Sequence, residues 1–150
     1  MKESFYQLTS EQKMEDYQIK IKQFEKTALT EFKSGNTENA IVLFENAWDV
    51  LPEPKTDKPE SYLIANSLVF ALNKVKKYAE ALEWAKKLMN SALDRHDDGD
   101  REYMAGTVLY HLERKEDAWK YFDVANDKSV GRCFIGADKK EYSDFFKNRT

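Results

Sequence analysis

The sequence predicts an all-α fold: an α-solenoid of three helical hairpins closed by a C-terminal capping helix. Three observations lead there. Apolar residues recur at three- and four-residue steps through most of the chain, and no segment alternates as a strand would. Five glycines and three prolines in 150 residues are too few for a β-rich or loop-rich fold. A spacing of the form Ala-x3-Phe-x2-Ala, strict or loosened, returns three times.

The first helix is expected to open at Thr9 or Ser10, where Thr9 and Gln12 have capping-box spacing. Met14, Tyr17, Ile21, Phe24 and Ala28 then fall on one face, and Gly35-Asn36 ends it. Thr37 with Glu38 restarts a helix whose stripe is Ala40, Ile41, Phe44, Ala47, Trp48 and Leu51, stopped by Pro52. Pro52, Pro54 and Pro59 form the clearest break in the chain, and Pro59 suits the first turn of the next helix. "ESYLIANSLVFALNKV" and "KKYAEALEWAKKLMNSALD" make a second pair, the latter with Tyr78, Ala81, Leu82, Ala85 and Leu88 inward. After the polar "RHDDGD" come "REYMAGTVLYHLER" and "KEDAWKYFDVANDK", turning at Arg114-Lys115. Gly131 and Gly136 lead into "DKKEYSDFFKN", where Asp138 and Glu141 have capping-box spacing. The length fits one domain, residues 1–150, able to bury roughly 68–70% of its unfolded surface. Its repeats are expected at about 17–52, 59–94 and 100–128, with the cap over 129–150.

The charge is −3 with both signs mixed, and no basic block invites nucleic acid. From Lys128 onward six basic residues meet three acidic ones, an ordinary solvated end. A single cysteine, Cys133, excludes an internal disulfide and suits a reducing compartment. No apolar run reaches membrane-spanning length, and "MKESFYQLTSEQ" lacks a secretory signal, so the expected location is cytoplasmic.

The three second helices share their register. Ala40-x3-Phe44-x2-Ala47 is matched by Ala118-x3-Phe122-x2-Ala125 and, loosely, by Ala81-x3-Ala85-x2-Leu88. Small residues seven apart let paired helices approach closely, and such a unit buries its faces only by stacking on neighbours. Over residues 17 to 128 the chain resembles the tetratricopeptide repeat family. Ala47 with Pro52, Gly106 with Ala118, Phe122 and Ala125, and Tyr78-x2-Ala81 carry the resemblance. It departs from the regular period of about 34: Ala40 to Ala81 spans 41 positions and Ala81 to Ala118 spans 37. Val69 stands where the middle unit wants a small residue, so a looser crossing is expected there. Tyr142, Phe145 and Phe146 suit the terminal cap that such stacks need, with Phe134 and Ile135 plugging the junction. The ending is also similar to tails of small bacterial proteins of this repeat type, some encoded beside toxins as immunity proteins.

The resemblance implies that first helices line a concave, partner-binding face. That face would carry Lys22, Glu25, Leu29 and Phe32, then Leu63, Asn66, Phe70, Asn73 and Lys74, then Tyr103, Thr107, Tyr110 and His111. Phe32, Phe70, Tyr103 and Tyr110 are aromatics of the kind that anchor interfaces. The competing possibility is that Phe5, Tyr6 and Leu8 fold back over part of the face. A variant of the family grips a C-terminal carboxylate with a lysine–asparagine clamp, but Glu25 and Leu29 occupy those places here. Asn66, Asn73 and Lys74 remain suited to an extended backbone or an acidic side chain.

Chemistry finds little support. Cys133, flanked by Phe134 and Ile135, fits a buried small hydrophobe better than a nucleophile. "DRHDDGDREYMA" places His96 and Ala105 where a calcium loop needs oxygen ligands, so it reads as a solvated acidic connector. His96 and His111 lack a third ligand at metal spacing. The expectation is therefore a non-catalytic module without cofactor or metal. Its partner is a protein or peptide, more narrowly a toxin, and the chain is a monomer or weak homodimer. A general adaptor or chaperone-like subunit is the alternative, and a thiol enzyme or sensor using Cys133 and His111 a more distant one.

Overall fold

The computed structural model describes residues 2–94 and 97–149, with side chains from residue 16 onward. The described residues are helical and contain no strand. In chain order they form α1 (Lys2–Lys33), α2 (Thr37–Val50), α3 (Pro59–Lys74), α4 (Tyr78–Met89), α5 (Asp100–His111), α6 (Lys115–Ser129) and α7 (Lys140–Lys147). Short 3₁₀ turns lie at Lys55–Asp57, Arg132–Phe134 and Ala137–Lys139. Each helix from α1 to α6 packs on its successor, and α3 also touches α5.

The three turns closing α1–α2, α3–α4 and α5–α6 have one geometry. Gly35, Lys76 and Glu113 sit at φ 87°, 63° and 62°, in the left-handed region. The next residue then donates its N–H five residues back: Asn36 to Glu31 O at 2.8 Å, Lys77 to Leu72 O at 2.9 Å, Arg114 to Leu109 O at 2.9 Å. That bond satisfies a carbonyl which the helix end would otherwise leave unpaired. Only the first turn carries the glycine that the conformation favours.

Within the pairs, volume is exchanged across the crossing. In register, Ala28 aligns with Val69 and Gly106, while Phe44 aligns with Ala85 and Phe122. All six are at most 3% exposed or, for Gly106, buried. A Cβ on Gly106 would come within 2.7 Å of the Phe122 ring, so that glycine makes room for the phenylalanine. In the middle pair the larger Val69 faces a register position held by the smaller Ala85. Both are buried, and a groove of about 300 Å³ lies beside Ala85 between α4, α5 and α6.

Cations hold the two long connectors. Lys55 Nζ donates to the carbonyls of Trp48, Asp49 and Leu51 at 3.1, 3.1 and 2.7 Å, at the end of α2 where the helix dipole favours a positive charge. Arg101, 7% exposed, donates through Nη2 to Ser91 O at 2.6 Å and Ala92 O at 2.7 Å beyond α4. Its guanidinium lies 4.8 Å from the Tyr62 ring centroid. In the polar connector, Asp97 and the buried Glu102 meet on Lys128 Nζ at 2.7 and 2.6 Å. Arg95 and His96 lie outside the described residues, and with them the His96 part of the calcium and metal readings.

Some sequence expectations are corrected. α1 is continuous from Lys2, so the start expected at Thr9 or Ser10 lies inside a helix, in a segment with no glycine or proline to interrupt it. α4 ends at Met89 rather than near Asp94, because Ala92 turns to φ 47° and its N–H bonds Thr56 O at 2.8 Å. The Asp138–Glu141 capping box does not form: α7 begins at Lys140, with Lys139 at its N-cap and no side-chain cap bond. Ile135 is 72% exposed and plugs nothing, whereas Phe134 packs edge-on against Tyr103 and Phe122.

Candidate functional site

Successive first helices and the tail place a row of side chains side by side. Across α1 and α3, Phe32 and Phe70 have ring centroids 5.7 Å apart, and Lys74 Nζ lies 4.6 Å over the Phe32 ring. Phe70 is 51% exposed and Leu63, seven residues earlier on α3, is 49% exposed; Leu29 of α1 adds a third exposed apolar side chain. Nearer the start of α3, Gln18 Nε2 donates to Glu60 Oε1 at 3.0 Å. Burial raises the Glu25 carboxyl, and the neighbouring Glu60 charge raises it further.

Between α3, α5 and the tail lies a pocket of about 410 Å³. α3 supplies Asn66, Phe70, Asn73 and Lys74 to its wall, and α5 supplies Asp100, Tyr103, Met104 and Thr107. Asp138, Lys139 and Tyr142 close it from the tail. One hydrogen-bond chain fixes part of the wall. Thr107 Oγ1 donates to Met104 O at 2.6 Å, so it can only accept from Asn73 Nδ2 at 3.0 Å. Asn73 Oδ1 is thereby left buried without a partner. Asn66 Oδ1 is unpartnered too, and among the described residues the Asn66 carboxamide makes no hydrogen bond.

The tail is held by aromatic packing. Tyr142 lies edge-on to Tyr103, Tyr110 and His111 at centroid distances of 6.0, 5.5 and 5.7 Å. Phe145 sits 5.1 Å from Tyr110, and Phe146 stacks on Trp119 at 5.3 Å and on Phe134 at 5.0 Å. His111 Nε2 meets Tyr142 OH at 2.8 Å while its ring stacks on Tyr78 at 4.6 Å. Burial pushes the Tyr142 hydroxyl up to about 12, with the Glu141 charge adding to it. Burial first, then Tyr142 and Asp138, lifts Tyr103 well above its ordinary value. Both side chains are therefore neutral phenols at neutral pH.

The sequence-predicted residues divide accordingly. Asn66, Phe70, Asn73, Lys74, Tyr103 and Thr107 come together around the pocket. Tyr103 and Thr107 are only 8% and 3% exposed, so they form its floor and offer little surface outside it. Phe32 lies at its edge through Phe70. Tyr110 and His111 do not line this pocket: Tyr142 packs against both, Tyr110 OH donates to Glu141 Oε1 at 3.0 Å, and both stay partly exposed. They hold the tail rather than line the pocket. Phe5, Tyr6, Leu8 and Met14 lie outside the residues whose side chains are described. Asp100, Met104, Asp138, Lys139 and Tyr142 were not foreseen. Asp100 could have been, since it lies one helical step before Tyr103; the tail residues required knowing where the tail packs.

Cys133 is 6% exposed, and burial pushes its thiol up, against a weaker opposing bond from Ser129. A nucleophile needs the opposite shift. His111 is occupied by Tyr78 and Tyr142. Among the described residues no group of three or more His, Cys, Asp or Glu side chains could hold a metal ion. No helix of the described residues is long and apolar enough to cross a membrane. No known family model matches the chain, and no curated protein is recognisably similar to it.

Proposed function

We propose that the chain is a non-catalytic binding module: a three-hairpin α-solenoid of the tetratricopeptide type with a C-terminal cap, working in the cytoplasm. It docks another protein or peptide on the face built by α1, α3 and α5. The observation that carries this is the half-exposed Phe70 on the pocket wall, with half-exposed Leu63 seven residues earlier on the same helix. Exposed large apolar side chains grouped beside a concavity, with polar groups at the rim, are what interfaces use as anchors. The repeated turn geometry and the shared crossing register support the solenoid. The narrower form, an immunity protein that occludes a toxin by steric block, rests on the likeness of the tail alone. A general adaptor uses the same face.

The test is partner capture from lysate of the native host with tagged wild-type protein beside Leu63→Ala/Phe70→Ala. Both positions are half-exposed, so the double variant should fold. A partner retained by wild type and lost by the variant is the expected result. If that partner is toxic alone and harmless with this chain, the immunity form holds. Equal retention by both proteins would move the function off this face.

A further inference from the structure

We infer that the pocket between α3, α5 and the tail receives a partner's tryptophan side chain, with the indole N–H donated to Asn66. The inference rests on the binding-module reading and names the chemistry of its anchor. The walls are mostly aromatic or apolar, from Phe70, Tyr103, Met104 and Tyr142, and about 410 Å³ accommodates a large ring. Charge does not select the occupant, because Lys74 and Lys139 are balanced by Asp100 and Asp138. Both lysines already lie over ring faces, Lys74 4.6 Å from Phe32 and Lys139 5.1 Å from Tyr103. Cations at the pocket wall favour an electron-rich ring as occupant, and indole binds cations best. The wall's orphan atoms are acceptors, Asn66 Oδ1 and Asn73 Oδ1, both closed off from solvent and unpaired; the Asn73 carboxamide is held by its bond to Thr107, whereas that of Asn66 is not. Among the described residues the Asn66 carboxamide makes no hydrogen bond, so turning it about χ2 towards a donor breaks none there. A phenylalanine offers no such donor, while a buried indole N–H needs an acceptor.

The experiment titrates N-acetyl-tryptophanamide into ¹⁵N-labelled full-length protein, beside its 1-methylindole analogue, N-acetyl-phenylalaninamide and N-acetyl-argininamide. Expected are saturable shifts at Phe70, Asn73, Tyr103 and Tyr142, with the N-methylated and phenyl probes about fivefold weaker, the size of one neutral hydrogen bond. Asn66→Ala should remove that preference while leaving thermal unfolding cooperative. If Asn66→Ala does not fold, the ligand series on wild type decides alone. No saturable shift, equal binding of all four probes, or shifts mapping to the groove beside Ala85 would overturn the inference. Failure of these probes with a partner still lost on Leu63→Ala/Phe70→Ala sinks the tryptophan assignment and spares the docking face. Tryptophan binding with no partner dependent on Phe70 does the reverse.

Discussion

Replacing Gly106 by alanine tests the packing that brings α5 against α6 and so sets the pocket floor. Two effects oppose. Alanine gains about 0.8–1.0 kcal/mol over glycine from helix propensity. Its methyl would lie 2.7 Å from the ring of Phe122, which is fully buried and cannot swing out. Overpacking of this kind costs about 1–3 kcal/mol. The net is a loss of about 1 kcal/mol, a fall of about 2–4 °C in Tm for a chain of this length. Urea unfolding followed by circular dichroism measures it. The decisive arm is Phe122→Leu, which itself destabilises but clears the space; in that background Gly106→Ala should become stabilising by about 0.5–1 kcal/mol. A stabilisation by alanine of equal size in both backgrounds would refute the close approach.

Val130 closes α6 at φ 54° and is 84% exposed, so Val130→Gly should raise stability by about 1 kcal/mol by relieving a β-branched residue held in the left-handed region, read as a higher urea midpoint. Arg101→Met should cost about 2 kcal/mol, since the Ser91 and Ala92 carbonyls lose charged donors and the end of α4 is released; hydrogen exchange at residues 88–94 should rise with it. Burial lowers His111 below its ordinary 6.5, so the unfolded chain takes up its proton first. Stability should therefore drop as pH falls through 6.5 and on through the folded value, with Glu141 opposing and Lys115 reinforcing the shift. His111→Gln should flatten that part of the pH profile relative to wild type, and an unchanged slope would discount the residue.

How much the sequence revealed depended on whether a signal was local. Helix faces are written in three- and four-residue steps, so Ala40, Phe44 and Ala47, or Ala118, Phe122 and Ala125, announced their burial directly. The turn at Gly35 was equally legible. The matching turns at Lys76 and Glu113 were seen only as breaks, because neither residue type signals a left-handed conformation. The burial of Arg101 had no local signal, since nothing nearby in sequence shows that Ser91 and Ala92 present carbonyls to it. The site was half visible. The α3 residues and Tyr103 follow from helix periodicity, but the tail's path decided the rest. It packed Tyr142 against Tyr110 and His111, away from the pocket, and supplied Asp138, Lys139 and Tyr142 as a wall.

The docking face is tested most directly by titrating the captured partner, by calorimetry, against matched surface variants. Leu63→Ala/Phe70→Ala removes exposed apolar surface from α3, and Val42→Ala/Val124→Ala removes it from α2 and α6. The account predicts that the first pair weakens binding by about thirtyfold or more, the size of an interface hot spot of about 2 kcal/mol, while the second leaves it unchanged. Loss in the second pair with full affinity in the first would contradict it.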